Sequence, residues 1–424
     1  MFRGLLLSLI IFSTSFAQVE YSKSRNQNLF GPGFNIDLAN YPGDELGKTR
    51  MDVFIQVPYS NIQFVKNSTG FKAKYTITLT FYDEFDDEII VERMWKEKIE
   101  TESFDQAISG NNYNFSYRSF NLEPGEYNFR CEIVDEDSKK SYAIEATANV
   151  MPFDKPLQIS DIILISRKVS TEKGERFIPN VSNRILNKDS TLSFFFEIKS
   201  DQPRETVIEY IINDKNEDRV YSQFVDKQLE EGTNFIDESI NNINFNLGSY
   251  TLTVLIRDDD WDIQHEKSKM FKSLIFGFPS SITDLDKAIE QMTYIASNSE
   301  IDEITELDDF DDKLNKYKDY WHTKDPSPNT DENEILNEYY RRVDYANANF
   351  KNYFDGWKSD MGMIYIILGP PNNVERYPFE YDSKPYEIWD YYDINKRFVF
   401  VDQTGFGDYR LLNHQYGDWY RYRQ

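Results

Sequence analysis

Two stretches of this chain repeat one another: residues 122–135 read LEPGEYNFRCEIVD, and residues 245–258 read FNLGSYTLTVLIRD. Each residue of the second stretch lies 123 positions after its counterpart, so Gly248 aligns with Gly125 and Tyr250 with Tyr127. After the glycine, apolar side chains occupy every second position in both copies. That period of two predicts a half-buried β-strand that begins at a glycine turn.

The same alternation occurs upstream of each copy. Residues 75–81 (YTITLTF) and 192–198 (LSFFFEI) are interpreted as corresponding earlier strands. Residues 51–57 (MDVFIQV) are interpreted as a further strand of the first copy. The alternation therefore indicates two β-sheet units of similar construction.

A tyrosine just after the turn, at the start of a late strand, is typical of immunoglobulin-like and fibronectin-like sandwiches. We therefore predict two tandem β-sandwiches of this kind, over residues 18–150 and 151–279. The linker between them is predicted at Pro152 and Pro156, because proline resists strand pairing.

The hydrophobic period changes from two to 3.6 after residue 279, so residues 280–354 are predicted to be helical. Three amphipathic segments are expected there: Ile282–Ile295, Ile304–Trp321 and Ile335–Phe354.

Strands return in residues 355–424. Residues 363–368 (MIYIIL) are almost continuously apolar, which predicts a central strand covered on both faces. Further strands are expected at residues 386–392, 397–402 and 408–412. The helical segment and this mostly antiparallel sheet are predicted to pack together as one small α+β domain.

The junction between helices and sheet carries the most distinctive motif, GWKSD at residues 356–360. With EYYRRVDYAN at 338–347 and FVFVD at 398–402, it resembles the signature of the GWxTD-domain family. That resemblance implies a secreted bacterial protein, and it implies no substrate, since the family has no established activity. Ser359 stands where the family name has threonine, so the hydroxyl group is retained.

The N-terminal residues have the pattern of a secretory signal. Arg3 supplies the positive charge, residues 5–12 the apolar segment, and Ser15-Phe16-Ala17 a cleavage site after Ala17. The apolar segment is too short for a membrane span, and no later stretch reaches about 18 continuous apolar residues. Residues 1–17 are therefore predicted to be a signal peptide of an exported protein, periplasmic or secreted, with no membrane insertion after its removal.

The chain is strongly acidic, with a formal net charge of −26. This charge opposes binding to nucleic acid and to anionic lipid, and it favours basic partners or cations. Cys131 is the single cysteine, so no intramolecular disulfide is possible; on its alternating apolar strand it is expected to be a buried small residue.

Candidate site residues cluster around the GWKSD run. In a functional interpretation Trp357 provides a stacking surface, Trp389 is a further ligand-binding candidate and Ser359 is a hydrogen-bond partner. Asp360 and Asp402 form a carboxylate pair in that interpretation. In a structural interpretation, which we favour, the tryptophans are core anchors and Asp360 makes an Asx-type turn that begins the next strand.

Metal and nucleophile chemistry have little support. Asp258, Asp260 and Asp262 alternate as in the start of a calcium loop, but the glycine and glutamate expected later in an EF-hand are missing. A solvated hairpin tip is the favoured interpretation, and no cofactor is predicted. The three histidines lie in separate elements, which disfavours a catalytic triad or a zinc site: His265, His322 and His414.

Two classes of function remain open. The first is a non-catalytic envelope protein, in which the sandwiches act as a spacer and the C-terminal domain binds a protein or glycan partner. The tandem sandwiches, the few histidines and the lack of a catalytic motif favour it. The alternative is a hydrolase of envelope glycan or peptide that uses Asp360 and Asp402.

Overall fold

The computed structural model describes residues 33–45, 47–83, 88–108, 112–171, 174–186, 191–258, 261–275, 277–328, 333–378 and 384–412. About half of the described residues lie in β-strands, and a group of short helices lies in the C-terminal part. The predicted signal peptide lies outside the described residues.

The first β unit contains two sheets around one apolar core. A three-stranded sheet has the order β1-β2-β6, and a second sheet has the order β5-β4-β7-β8, with the short β3 also paired to β4. Cys131 lies in the shared core and is fully buried, as predicted. The elements are β1 (Asn35–Pro42), β2 (Thr49–Pro58), a 3-10 turn (Tyr59–Asn61), β3 (Val65–Lys66), β4 (Phe71–Tyr82), β5 (Ile89–Thr101), α1 (Phe104–Ile108), β6 (Tyr113–Leu122), β7 (Gly125–Asp135) and β8 (Ser141–Val150).

The second β unit repeats this arrangement. Its sheets have the orders β11-β10-β13-β16, with β9 paired to β13, and β12-β18-β17-β14-β15. The strands are β9 (Leu157–Ile159), β10 (Ile163–Thr171), β11 (Gly174–Pro179), β12 (Arg184–Leu186), β13 (Thr191–Ser200), β14 (Arg204–Asp214), β15 (Arg219–Leu229), β16 (Gly232–Asn241), β17 (Gly248–Arg257) and β18 (Ile263–Leu274).

Topology corrects one predicted correspondence. Residues 75–81 lie in β4, which pairs with β7, whereas residues 192–198 lie in β13, which pairs with β16 and not with β17. The counterpart of β4 is therefore β14, and that of β13 is β2. The two stretches share an alternating composition, and alternation alone does not say which sheet a strand joins.

The aligned tyrosines do occupy equivalent places. The Tyr127 hydroxyl donates to the Glu123 carbonyl oxygen at 2.8 Å, and the Tyr250 hydroxyl donates to that of Asn246 at 3.0 Å. Each bond reaches back four residues across the turn before β7 or β17. The sequence repeat thus corresponds to a repeated structural corner.

The two β units contact one another through an apolar cluster bordered by ion pairs. Arg50 of β2 contacts Glu197 of β13 at 2.6 Å, and Lys269 of β18 contacts Asp37 of β1 at 2.7 Å. Burial raises the pKa of Glu197, although Arg50 opposes that shift. The apolar cluster is formed by Ala39, Tyr41, Phe54, Ile163 and Val181.

The C-terminal part has more helices than the three predicted. The segment expected at Ile304–Trp321 is divided in two, because Asp309 begins a new helix by accepting hydrogen bonds from the Asp311 and Asp312 amides. The helices are α2 (Leu285–Gln291), a 3-10 turn (Met292–Tyr294), α3 (Asn298–Thr305), α4 (Phe310–Thr323), α5 (Glu334–Asn349), a 3-10 turn (Gly356–Lys358) and α6 (Asp360–Leu368).

The predicted central strand at residues 363–368 is wrong, since these residues form most of α6. A short apolar run does not distinguish a buried strand from a buried helix. A four-stranded antiparallel sheet follows, and its first strand was not predicted. The strands, in spatial order, are β19 (Asn373–Tyr377), β20 (Tyr386–Tyr391), β21 (Lys396–Asp402) and β22 (Tyr409–Leu411).

In the described ranges, no helix has both the length and the apolar character that a membrane crossing requires.

Candidate functional site

The Gly-Trp run, residues 356–360 (GWKSD), packs the 3-10 turn Gly356–Lys358 tightly against α5 and α6. A Cβ atom on Gly356 would lie 1.9 Å from the Ala346 carbonyl oxygen of α5. A Cβ atom on Gly362 would lie 2.1 Å from the Gly356 carbonyl oxygen. Both glycines are therefore required by close backbone contact, which holds the 3-10 turn against α5 and α6.

Ser359 is the N-cap of α6. Its Oγ accepts a hydrogen bond from the Gly362 amide at 3.0 Å and donates to the Gly356 carbonyl oxygen at 2.7 Å. The predicted Asx-type turn at Asp360 is thus wrong: Asp360 is the first residue of a helix whose cap is the preceding serine. Its negative charge also suits the helix N-terminus.

The two candidate tryptophans are interior residues in separate clusters, each 3% exposed. Trp357 packs with the helices, and its ring lies 6.1 Å from that of Tyr294 between centroids. Trp389 packs between helix and sheet, 4.8 Å from the ring of Phe400 and 5.4 Å from that of Phe350. The structure does not bring the two rings together as a stacking surface.

Asp360 and Asp402 both lie next to β22, and both bind backbone amides. Asp360 Oδ2 accepts from the Leu411 amide at 2.8 Å. Asp402, opposite Tyr409 in the sheet, accepts from three amides in the turn that follows it. These are Thr404 at 3.1 Å, Gly405 at 2.9 Å and Gly407 at 2.7 Å.

The Asp402 turn has a backbone shape that favours glycine. Gly405 and Gly407 have φ values of 76° and 89°, in the left-handed region. Burial raises the pKa of Asp402, but the amides of Gly407 and Gly405 outweigh that effect and hold the pKa below its usual value. The carboxylate is therefore an ionised acceptor that shapes a turn.

The calcium candidates lie in the turn between β17 and β18. Asp258 Oδ1 accepts from the Asp262 amide at 2.9 Å, and Oδ2 accepts from Gln264 Nε2 at 2.5 Å. Asp260 lies outside the described residues. Among the residues the structure describes, no group of three or more acidic, histidine or cysteine side chains is placed to hold a metal ion.

A groove of about 470 Å³ lies elsewhere in the C-terminal part, between α5, the end of α6 and the turn joining β20 to β21. Most of its surface is apolar, and four charged side chains also line it. Its lining residues are Tyr294, Ile295, Glu334, Ile335, Glu338, Tyr339, Arg342, Ile366, Ile367, Leu368, Asn372, Tyr391, Asp393 and Ile394.

Arg342 fixes one wall of the groove. Its Nε donates to Glu338 Oε1 at 2.7 Å, and its Nη1 donates to the Ile366 and Ile367 carbonyl oxygens at 3.1 and 3.3 Å. The guanidinium thus satisfies carbonyls that the last turn of α6 leaves without a helical partner. The hydrogen bond from Arg341 lowers the pKa of Glu338, more than burial raises it.

The groove is not apparent from the sequence alone. Glu338 and Arg342 belong to the EYYRRV stretch, and their four-residue spacing places both on one face of α5 beside Ile335. That spacing is the feature of the sequence that indicates one wall of the groove. The opposite wall, at Ile367 and Ile394, comes from elements that only the fold brings near.

Several solved structures show local similarity to this chain. Red sea bream transglutaminase is 9% identical, with 57% of this chain and 31% of that chain covered and a TM-score of 0.18. A β-glucuronidase of Bacteroides uniformis is 10% identical, with 59% of this chain and 32% of that chain covered and a TM-score of 0.22. A family 2 glycosyl hydrolase of Bacteroides cellulosilyticus is 8% identical, with 52% of this chain and 26% of that chain covered and a TM-score of 0.21. The chain spans a third or less of each, and similarity at such TM-scores carries no argument about fold or function. No curated protein matches the chain.

A comparison with models of protein families gives a match to one part of the chain. The model of the GWxTD domain matches residues 255–418, which include the Gly-Trp joint, the groove and the C-terminal sheet. The chain therefore contains a GWxTD domain, over residues 255–418.

Proposed function

We propose that this protein is a non-catalytic binding module of the cell envelope, and that the groove in its GWxTD domain is the binding site. The groove supports this proposal best because it combines apolar side chains with fixed charges in a concave surface, as ligand sites do. It is distinct from the Gly-Trp run, whose polar groups serve the fold.

The chemistry of the lining suggests the ligand class. Glu338 is ion-paired with both Arg341 and Arg342, so the negative charge offered to a ligand comes from Glu334 and Asp393. Apolar contact is available from Ile335 and the other aliphatic side chains of the walls. The best match is an extended peptide segment in which apolar residues alternate with lysine or arginine.

The alternative hydrolase needs Asp360 and Asp402 as an acid and base pair. Asp360 accepts from the Leu411 amide, and Asp402 is held by three amides with a lowered pKa. The lowered pKa argues against Asp402 as the general acid of such a pair, because a general acid needs a raised pKa. These observations support binding over hydrolysis.

The architecture we propose for the rest of the chain is two immunoglobulin-like or fibronectin-like sandwiches, residues 18–150 and 151–279, acting as a spacer. The matching strand orders and the paired corners at Tyr127 and Tyr250 support this assignment. Residues 280–354 and 355–424 are proposed to form one C-terminal domain, because helices and sheet share the groove.

Export is proposed from the sequence of residues 1–17. Expression in a bacterial host, fractionation and mass spectrometry of the protein are expected to give a chain that begins at Gln18 in the periplasmic or secreted fraction. A full-length chain retained in the cytoplasm would refute export.

The binding proposal is tested with a fluorescein-labelled peptide of alternating leucine and lysine, titrated against the whole protein and followed by anisotropy. Glu334→Lys and Ile394→Ser are each expected to weaken binding at least about fivefold. Asp302→Lys, which makes the same charge change on exposed α3, is the matched control and is expected to bind normally. Equal affinity for all four proteins, or tighter binding of a leucine and glutamate peptide, would refute the proposal.

A further inference from the structure

Strand β5 is a long edge. Its 13 residues, Ile89–Thr101, pair with β4 on one side, and in the described part of the chain no strand pairs with its other side. An edge of this kind presents a row of backbone donors and acceptors to another strand. Exposed apolar side chains lie along it: Ile89 is 56% exposed, Ile90 44% and Met94 67%.

Charged residues normally protect such an edge against pairing. On β5 the charges have both signs, and four of its six charged residues are arranged symmetrically about Trp95, while Lys96 and Glu100 have the apolar Met94 and Ile90 at their mirror positions. Arg93 lies two residues before it and Glu97 two residues after it. Glu92 and Lys98 lie three residues before and after it. At these four positions an antiparallel copy of the same strand would therefore meet a charge of opposite sign.

The pairing can be worked out residue by residue. Directly opposite residues of an antiparallel pair lie on the same face of the sheet, so a symmetric pair must be centred on a residue. Centring on Trp95 sets Arg93 against Glu97, Glu92 against Lys98 and Val91 against Ile99 of the second copy. Each contact occurs twice by symmetry, which gives four ion pairs.

Registers centred on the residues next to Trp95 form fewer ion pairs between the two copies. Centring on Met94 keeps one kind of ion pair, Glu92 with Lys96, while centring on Lys96 opposes Glu92 with Glu100. The equivalent edge strand of the second unit, β15, offers no ion pair in any symmetric register. Its charges are Arg219, Asp226 and Lys227, and the acid lies an odd number of residues from each base. The complementarity is thus specific to β5.

Several of these side chains are already held in position within the unit. Arg93 Nη1 donates to the Ser119 carbonyl oxygen at 3.1 Å. Glu97 Oε1 accepts from Ser116 Oγ at 2.7 Å, and Glu92 Oε2 accepts from Thr80 Oγ1 at 3.0 Å. Fixed side chains lose less conformational entropy when a second strand docks.

We propose that two copies of this chain associate through their β5 strands, antiparallel and centred on Trp95, to join their sheets into one continuous sheet. The occupant of the edge is a second copy because the charge pattern of β5 complements itself. This interface is separate from the groove and does not depend on the binding function proposed above.

Sedimentation velocity of the whole protein tests the proposal. The wild type is expected to dimerise below about 100 µM. Glu92→Lys and Lys98→Glu, made separately, are each expected to raise the dimer dissociation constant about tenfold, because two attractive pairs become repulsive. The double variant Glu92→Lys/Lys98→Glu restores the opposition of charges and is expected to recover dimerisation.

Asp226→Lys on β15 is the matched control, with no change expected. A wild type that stays monomeric at about 100 µM would overturn the proposal, because a dimer weaker than this is too weak to be meaningful. So would a double variant that fails to recover although its circular dichroism is native. Sensitivity to Asp226→Lys alone would assign the contact to β15 instead.

The register has its own test. Met94 is opposite Lys96 of the second copy, so a mixture of Met94→Cys and Lys96→Cys proteins is expected to form more disulfide-linked dimer than either protein alone. Cys131 does not compete, because it is fully buried. Equal crosslinking in all three samples would refute the register.

Discussion

Replacing Ser359 by alanine tests the structural role of the Gly-Trp joint. The substitution removes the acceptor of the Gly362 amide and the donor to the Gly356 carbonyl oxygen. Loss of an N-cap costs about 1 kcal/mol. The Gly356 carbonyl keeps its bond from the Ser359 amide at 3.1 Å, so the second loss is that of one ordinary hydrogen bond, also about 1 kcal/mol.

The expected total is therefore about 2 kcal/mol of unfolding free energy. Because this loss is local, hydrogen exchange followed by mass spectrometry on the whole protein is the suitable assay. Peptides covering α6 are expected to exchange about 30-fold faster where exchange follows unfolding of this domain. Peptides from β4 and β14 are expected to be unchanged, since they lie in the other units.

Ser359→Thr is the matched control. Threonine is the residue of the family signature, and its hydroxyl can make both bonds, so its unfolding free energy is expected to stay within about 0.5 kcal/mol of the wild type. If Ser359→Ala exchanged like the wild type, or if Ser359→Thr were equally damaging, the capping account would be refuted.

Three further predictions concern other parts of the chain. Gly356→Ala is expected to lower the unfolding free energy of the C-terminal domain by about 3 kcal/mol or more, measured by urea denaturation, because its Cβ would clash with the rigid Ala346 carbonyl; a loss below about 1 kcal/mol would contradict the packing argument. Tyr127→Phe and Tyr250→Phe are each expected to cost about 1 kcal/mol, and unequal losses would argue against equivalent corners. His265 has its pKa lowered to about 4, by burial first and then by Lys155 and Lys267, so the fold favours the neutral ring. The contribution of His265 to the unfolding free energy is complete above pH 6.5 and is lost as the pH falls toward about 4. The loss of stability between pH 7.5 and pH 5 is therefore expected to be smaller in His265→Gln than in the wild type, and identical pH profiles would exclude this role.

Local patterns predicted the strands well. Alternation identified residues 51–57, 75–81 and 192–198 as strands, and the turn glycine with its tyrosine identified β7 and β17. What alternation could not supply was the order of strands in a sheet. That order depends on long-range pairing, and for this reason residues 192–198 were matched to the wrong strand.

The prediction for residues 363–368 failed for a different reason. The run is apolar throughout because α6 is covered by α5 and by the sheet, so no amphipathic period is visible. The signals for a helix were present at its ends. Ser359 is a favourable N-cap, and Gly369, with a φ of 78°, follows its last residue.

The groove could be predicted only in part. Glu334, Glu338 and Arg342 lie on one face of a single helix, which the sequence does contain. Ile367 and Ile394 complete the site from α6 and a hairpin turn, and their approach depends on the fold. Conversely, the conspicuous Trp357 proved to be an interior residue, because a large aromatic side chain at a helix junction is also what a core needs.

We propose that ligand binding belongs to the groove and that the carboxylates near the Gly-Trp run serve the fold. The most direct test is the affinity of the leucine and lysine peptide for the wild type, Glu334→Lys and Asp402→Asn, measured side by side by anisotropy. Binding to Glu334→Lys is expected to be at least about fivefold weaker, and folded Asp402→Asn is expected to bind with unchanged affinity. Unchanged binding to Glu334→Lys, together with lost binding to a natively folded Asp402→Asn, would contradict the proposal.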